Sequence, residues 1–236
     1  MNGQRGAALV LALWALALLS LMMAVVVGTV RLENRQSAYA LQHARALLAA
    51  ESGLALVVQS LAAKVPGMIA DGRVYHLTLE DAQLTVELRS ERGKLDLNQV
   101  TPEAFNQVLG YLGASPAQGR KLTQELLARR TGNNPLQTIE QLQGFAAMDR
   151  TLYGQLAPNL TIWTGLPQPD PTYATGPLQA ALKLPAPLVE SPAGPIYSAQ
   201  IQAVLVAPFT ADLNVTFLLN PQAEGTQLYR VLRWQE

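Results

Sequence analysis

An uncharged run from Ala7 to Val30 (AALVLALWALALLSLMMAVVVGTV) constrains this chain more than any other feature. As an α-helix it would extend about 36 Å, enough to cross the hydrocarbon core of a bilayer. A cleaved secretory signal has a shorter apolar core followed by a small-residue cleavage site, whereas this run passes directly into a helical pattern. Leu32, Tyr39, Ala46, Ala50, Val57 and Leu61 recur at three- and four-residue intervals or their sums. That spacing predicts a helix continuing to about Lys64, before Pro66-Gly67 stops it, with Ser52-Gly53 as a place where it can soften. An ordinary single-pass anchor with a juxtamembrane linker helix satisfies the same pattern. Charge does not orient the segment, because Arg5 and the amine lie on one side while Arg31 and Arg35, diluted by Glu33, lie on the other.

Several function classes are excluded early. With 17 Lys+Arg against 17 Asp+Glu, no whole-molecule field draws the chain to nucleic acid or to an anionic surface. The absence of cysteine rules out disulfides, thiolate metal sites and a Cys nucleophile. The two histidines, His43 and His76, stand far apart without close acidic pairs and read as solvated or satisfied. No phosphate-binding Gly-rich loop, G-x-S-x-G elbow or H-E-x-x-H helix occurs, so an enzyme has no residues to stand on.

The rest of the chain reads as α+β. Tyr75, Leu77 and Leu79, then Leu84, Val86 and Leu88, alternate with polar neighbours around a turn at Glu80 to Gln83, which predicts a hairpin with one buried face. The alternation returns at Ile196 to Val206, Leu213 to Leu219 and Gln227 to Trp234, with breaks at Pro208 and Asn220 to Gly225. The expected fold is a long N-terminal transmembrane and amphipathic helix packed on a small antiparallel sheet. Between the two sheet portions lies an inserted small all-α domain. Thr101-Pro102 caps a helix carrying Phe105, Val108, Leu109 and Leu112. Capping boxes at Ser115 to Gln118 and Thr138 to Gln141 open two more, and a fourth surrounds Leu152 and Leu156. Leu95 and Leu97 are predicted to face inward, with Lys94, Asp96 and Asn98 facing solvent or capping the next turn. Arg120, Lys121, Arg129, Arg130 and Arg150 read as mostly solvated. The Pro-rich stretch 165–195 has room for one short helix near Leu178 to Leu182.

The leader MNGQRG followed by AALVLALW resembles that of type IV pilin-like precursors. That resemblance implies cleavage between Gly6 and Ala7 by a prepilin peptidase, N-methylation of Ala7, and a leader in the cytoplasm. Most members carry Glu at the fifth mature position, which here is Leu11. Without that carboxylate a subunit cannot neutralise the buried amine of one ahead of it, which suits a tip position. GKLDLNQVTPEAFNQVLGYLGASPAQGRKL, then PLQTIEQLQGF, and the closing YRVLRWQE resemble the K-type minor pseudopilins of the type II secretion system. The insert is accordingly expected to be SAM-like or helix-hairpin-helix-like.

The resulting division is 1–6 leader, 7–30 transmembrane helix, 31–64 its continuation, 65–94 with 196–236 the pilin-like α/β domain, 95–164 the inserted helical domain, and 165–195 a Pro-rich loop or reduced second lobe. Implied partners are the I- and J-type minor pseudopilins through N-terminal helices, the major pseudopilin, the prepilin peptidase and the inner membrane, with the C-terminal domain periplasmic and no nucleic acid bound. Calcium is an expectation of the resemblance alone: Glu80, Asp81, Asp170, Glu190, Asp212 and Glu224 form no D-x-D-x-D loop. Two rivals share parts of the pattern, a membrane-tethered helix-hairpin-helix DNA-binding protein and a minor pilin of a type IV pilus. Gly113-Ala114-Ser115 lacks the second glycine of the DNA-binding turn, and the net charge of Thr101 to Thr164 is thin for phosphate binding.

Overall fold

The computed structural model describes residues 4–63, 67–132, 134–186, 191–205, 209–220 and 228–236, with side chains from residue 12 onward. Helix α1 (Gln4–Ala62) is continuous over 59 residues. Its last part buries Ala46, Ala50, Leu54, Val57 and Val58. The Ser52-Gly53 pair does not interrupt it. Gly53 serves packing instead: a Cβ there would lie 3.2 Å from both Ile201 Cγ2 and Leu84 Cδ1, so its absence lets the helix sit close to the strands.

The strands are β1 (Asp71–Leu79), β2 (Ala82–Ser90), the short β3 (Leu95–Asp96) and β4 (Leu160–Thr161), then β5 (Ile196–Val204), β6 (Thr210–Leu219) and β7 (Tyr229–Gln235). The main sheet runs β1-β2-β5-β6-β7, antiparallel throughout. Alternation decides its faces. Leu84, Val86 and Leu88 of β2, Ile201 of β5, and Leu213, Val215 and Phe217 of β6 point to α1 and form one core. The predicted breaks at Pro208 and 221–225, and Gln227, lie outside the described residues. So do Lys64 to Pro66, where the helix was expected to stop.

Leu32 and Tyr39 lie on the same helical face as the buried stripe, as their spacing predicts, yet they stay 57% and 62% exposed. The reason is length: the sheet reaches α1 only from about Ala46, and below it Tyr39 meets just Phe209 and His43 among the described rings.

The second core belongs to the helical insert, made of α2 (Pro102–Tyr111), α3 (Pro116–Thr131), a 3₁₀ helix (Ile139–Gly144), α4 (Arg150–Leu156) and α5 (Gly176–Leu182). Phe105, Leu109, Leu122, Leu126, Leu142 and Leu156 fill it. Thr101 accepts from Ala104 N and Ser115 from Gln118 N, as capping predicts. The Gln118 side chain does not complete a box but donates to Ala147 O. Thr138 makes no side-chain cap bond, and Gln141 accepts from Gln137 N, so the third expected helix is a single 3₁₀ stretch. The short helix expected near Leu178 to Leu182 is α5. Leu178 and Ala174 join the insert's core, so much of the Pro-rich stretch packs as part of the helical insert.

Candidate functional site

Two regions carry surfaces a partner can use: the lower part of α1, and the joint where the insert meets the sheet. In α1 an 18-residue window has mean hydropathy 2.3 and none of it is buried, so this helix is long and apolar enough to cross a membrane. Trp14, Leu19, Met22, Met23 and Val25 are all at least 60% exposed. Gly6, Ala7 and Leu11 lie on the backbone of α1, but their side chains are outside the described residues. Residues 31–41 are exposed on every side, which leaves a stalk between the uncharged run and the folded part.

The sheet register gives the molecule a direction. Phe209, just before β6, touches Tyr39 on the stalk, and the β1-β2 turn sits at that same end because Gln83 pairs with Val204. Ser90 pairs with Tyr197 at the opposite end, and the insert leaves from there. The helical insert therefore projects from the end of the sheet away from the apolar run.

That joint is built from charged residues that are buried. After β2, a 3₁₀ turn (Glu91–Gly93) carries Glu91, fully buried, whose carboxylate accepts from Lys94 Nζ at 2.5 Å. Lys94 also donates to Ser198 Oγ on β5 at 2.9 Å. Glu91 Oε2 has no donor among the described residues. Gly93 is required because a Cβ would fall 2.1 Å from the Tyr173 carbonyl oxygen. Asp170 accepts from Arg92 Nη2 at 3.4 Å and from Thr172 N, while its own N–H donates to the Arg92 carbonyl. Burial raises the Asp170 pKa, but the Ser191 hydroxyl, the Thr172 donors and Arg92 outweigh it and hold the carboxyl below its ordinary value.

The ends of the insert are tied by β3 and β4, which pair in parallel, Leu95 with Leu160 and Asp96 with Thr161. Asp96 is 2% exposed, so the solvent-facing alternative does not hold for it. The capping alternative does: its carboxylate accepts from Asn98 N at 2.9 Å, Thr164 Oγ1 at 3.1 Å and Gly165 N at 2.8 Å. Three donors are what a buried carboxylate needs to offset its lost hydration. Lys94 and Asn98 are likewise drawn inward, Asn98 by a reciprocal pair with the Leu136 backbone.

Of the basic residues expected at the surface, Arg120, Lys121 and Arg150 are exposed. Arg130 is not spare: Nε and Nη1 donate to the carbonyls of Leu97 and Val100, and burial lowers its pKa against the field of Asp96. Arg129 lies over the Phe145 ring at 5.2 Å. The α2-α3 turn is also self-contained, since Gly113 N donates to Gly110 O and Ala114 N to Leu109 O. Those amides are thus not free to hold a phosphate in the way a helix-hairpin-helix turn does.

Between the outer face of the sheet and the insert lies an open cleft of about 630 Å³, lined by Arg89, Lys94, Asn159, Ser198, Thr216 and Arg233 among others. Its cations are already paired, Arg89 with Glu87, Lys94 with Glu91, and Arg233 with Glu140 on the insert. Burial raises the Glu140 pKa, but its own backbone N–H and Arg233 prevail and lower it. The cleft reads as a joint bridged by charge. Among the described residues no three His, Asp or Glu gather as a metal site. His43 and His76 are exposed, Asp212 accepts from Gln202, and Glu190 and Glu224 lie outside the described residues.

No signal in the sequence marked Asp96, Arg130 or the Glu91-Lys94-Ser198 set as a joint, because each partner lies on a different element. No known family profile matches the sequence, and no curated protein does. Among solved structures, the chain is similar to one in the crystal structure of the GspK-GspI-GspJ complex from the enterotoxigenic Escherichia coli type 2 secretion system. The TM-score is 0.60 at 16% identity, covering 86% of this chain and 98% of that one. Taken with the long apolar helix, the antiparallel sheet and the added helices, this gives the chain an α+β fold of the type II secretion pseudopilin kind.

Proposed function

We propose that this protein is a K-type minor pseudopilin that caps the type II secretion pseudopilus and primes its assembly, without catalysing a reaction. The carrying observation is a fold likeness that covers 86% of the chain, joined to an exposed N-terminal helix that keeps its apolar surface uncovered. The position of the insert, at the end of the sheet away from the apolar run, suits a cap. On this reading a prepilin peptidase cuts between Gly6 and Ala7, Ala7 is N-methylated, and α1 stands in the inner membrane with the folded part in the periplasm. I- and J-type minor pseudopilins pack beside its N-terminal helix, and the major pseudopilin follows below. Leu11 supplies no carboxylate for an amine ahead of it, so nothing is stabilised above this subunit.

Three measurements test this. The mature protein from membranes should begin at methylated Ala7, and deleting the protein should abolish export of folded proteins across the outer membrane. Leu11→Glu should let the subunit enter the body of the fibre. An intact Met1 in the functional protein, or export that proceeds normally without the chain, overturns the reading.

A further inference from the structure

The face of α1 turned away from the sheet carries a pattern of its own. Val27, Val30, Asn34, Ser37, Leu41, Ala44 and Leu48 follow one another at alternating three- and four-residue steps. At about 100° per residue these positions lie roughly opposite the buried stripe of Ala46, Ala50, Gly53 and Val57. Val30, Leu41 and Leu48 are 47%, 54% and 61% exposed, and nothing in the folded part covers them. Apolar residues repeated at this spacing on a bare helix form the seam of a helix pair, and polar residues within it, here Asn34 and the adjacent seam position Ser37, fix register at a cost in stability. Toward the membrane the same face continues through Met23 and Leu16, with the small Ser20 and Ala24 beside them.

Charges flank the seam unequally. Arg31 and Arg45 stand on one side, with Arg35 beyond them, and Glu33 stands on the other. Among the described residues none of these three arginines has an ion-pair partner. When two parallel helices meet face to face, the same-handed flanks of the two lie on opposite sides of the seam, so a basic flank meets the other kind. Antiparallel helices of like pattern would instead set basic against basic. A second copy fits poorly: in a parallel, in-register pair Arg31 would face Val26 and Arg45 would face Ala40, leaving the guanidiniums unmatched.

We propose that the outer face of α1 from Val30 to Leu48 is a heptad seam for the N-terminal helix of a different pilin-like chain. That helix runs parallel to α1 and presents carboxylates to Arg31 and Arg45. The inference rests on the function proposed above and adds to it the face used and the charge of the occupant. Asn34 then sets the vertical offset between the two subunits, and the sheet-side residues Leu32 and Tyr39 stay outside this contact.

The absence of cysteine makes the test clean. Full-length Leu41→Cys, Leu48→Cys and, on the far side of the helix, Gln36→Cys are each co-expressed in membranes with the I- or J-type pseudopilin of the same secretion system. Each companion carries one cysteine scanned along its N-terminal helix, and disulfide formation is read after mild oxidation. All three substituted residues are exposed, so the fold is retained and is checked by protease resistance. Cross-links from Leu41→Cys and Leu48→Cys should exceed those from Gln36→Cys by about tenfold and advance in parallel along the companion helix. Arg45→Glu should cut the yield several-fold, with recovery when the facing carboxylate of the companion is changed to Arg. Equal yields from Gln36→Cys, an antiparallel order, or dimers of this chain alone would sink the seam while leaving the secretion role intact. A chain dispensable for export removes that role whatever the cross-links show.

Discussion

The sheet lobe and the helical insert solve the same problem in different ways. The sheet lobe is held by contacts distant in sequence: Ala46 to Val58 of α1 close over strands that come from both ends of the remaining chain. Its stability is a matter of apolar burial on one face. The insert is assembled from short helices with local caps, and its two ends are joined by only two residue pairs of β3 and β4. Where a ladder is that short, the buried polar groups do the closing: Asp96 ties the incoming strand to Thr164 and Gly165, and Arg130 holds the carbonyls of Leu97 and Val100. A large apolar loss should therefore damage the first lobe, and a small polar loss the second.

The largest effect is expected from Phe217→Ala. Phe217 is fully buried between Tyr197 and Tyr229, and truncation there costs about 3–5 kcal/mol. Hydrogen exchange on the detergent-solubilised chain should show protection lost across β5 and β6 but retained in α2 and α3. Equal loss in both lobes would mean that they unfold as one unit, which breaks the comparison. Asp96→Ala should act the opposite way, costing about 2–3 kcal/mol because donors used by a buried carboxylate are left unmatched. Exchange should then quicken from Leu95 to Gly165 while the sheet is unchanged.

Acid gives the smallest and most local test. Asp170 and Glu140 both have folded pKa values below their ordinary 3.8 and 4.5, so the unfolded chain binds more protons than the folded one in that range. Their contribution is fully present above the ordinary values and fades as pH falls through the lower, folded ones. The attachment of the insert should hold from neutrality to pH 4.5 and loosen below 3.8, read by exchange around Arg92 and Arg233 before the sheet core responds. Glu140 is partly solvated, so its share is the more easily screened by salt.

Much of the architecture was legible before any coordinates. The uncharged run, the hairpin around Glu80 and the caps at Thr101 and Ser115 were visible because each rests on neighbours in sequence. The second capping box failed at Thr138 because its Gln141 had a competing donor in Gln137 N. For Asp96 the capping alternative held and the solvent-facing one did not, while Lys94 and Arg130 were drawn inward by partners on other elements. Which way a charged side chain turns is undecided until the element that covers it is known.

By itself the sequence determined that α1 would be one long helix with an apolar face, since period and charge are local properties of the chain. Only the tertiary structure decided how far along that helix the sheet would reach, burying Ala46 and leaving Tyr39 bare at nearly the same angle. The physical reason is that burial depends on where distant strands end, and the spacing of residues on a helix holds no information about the length of the surface that meets it.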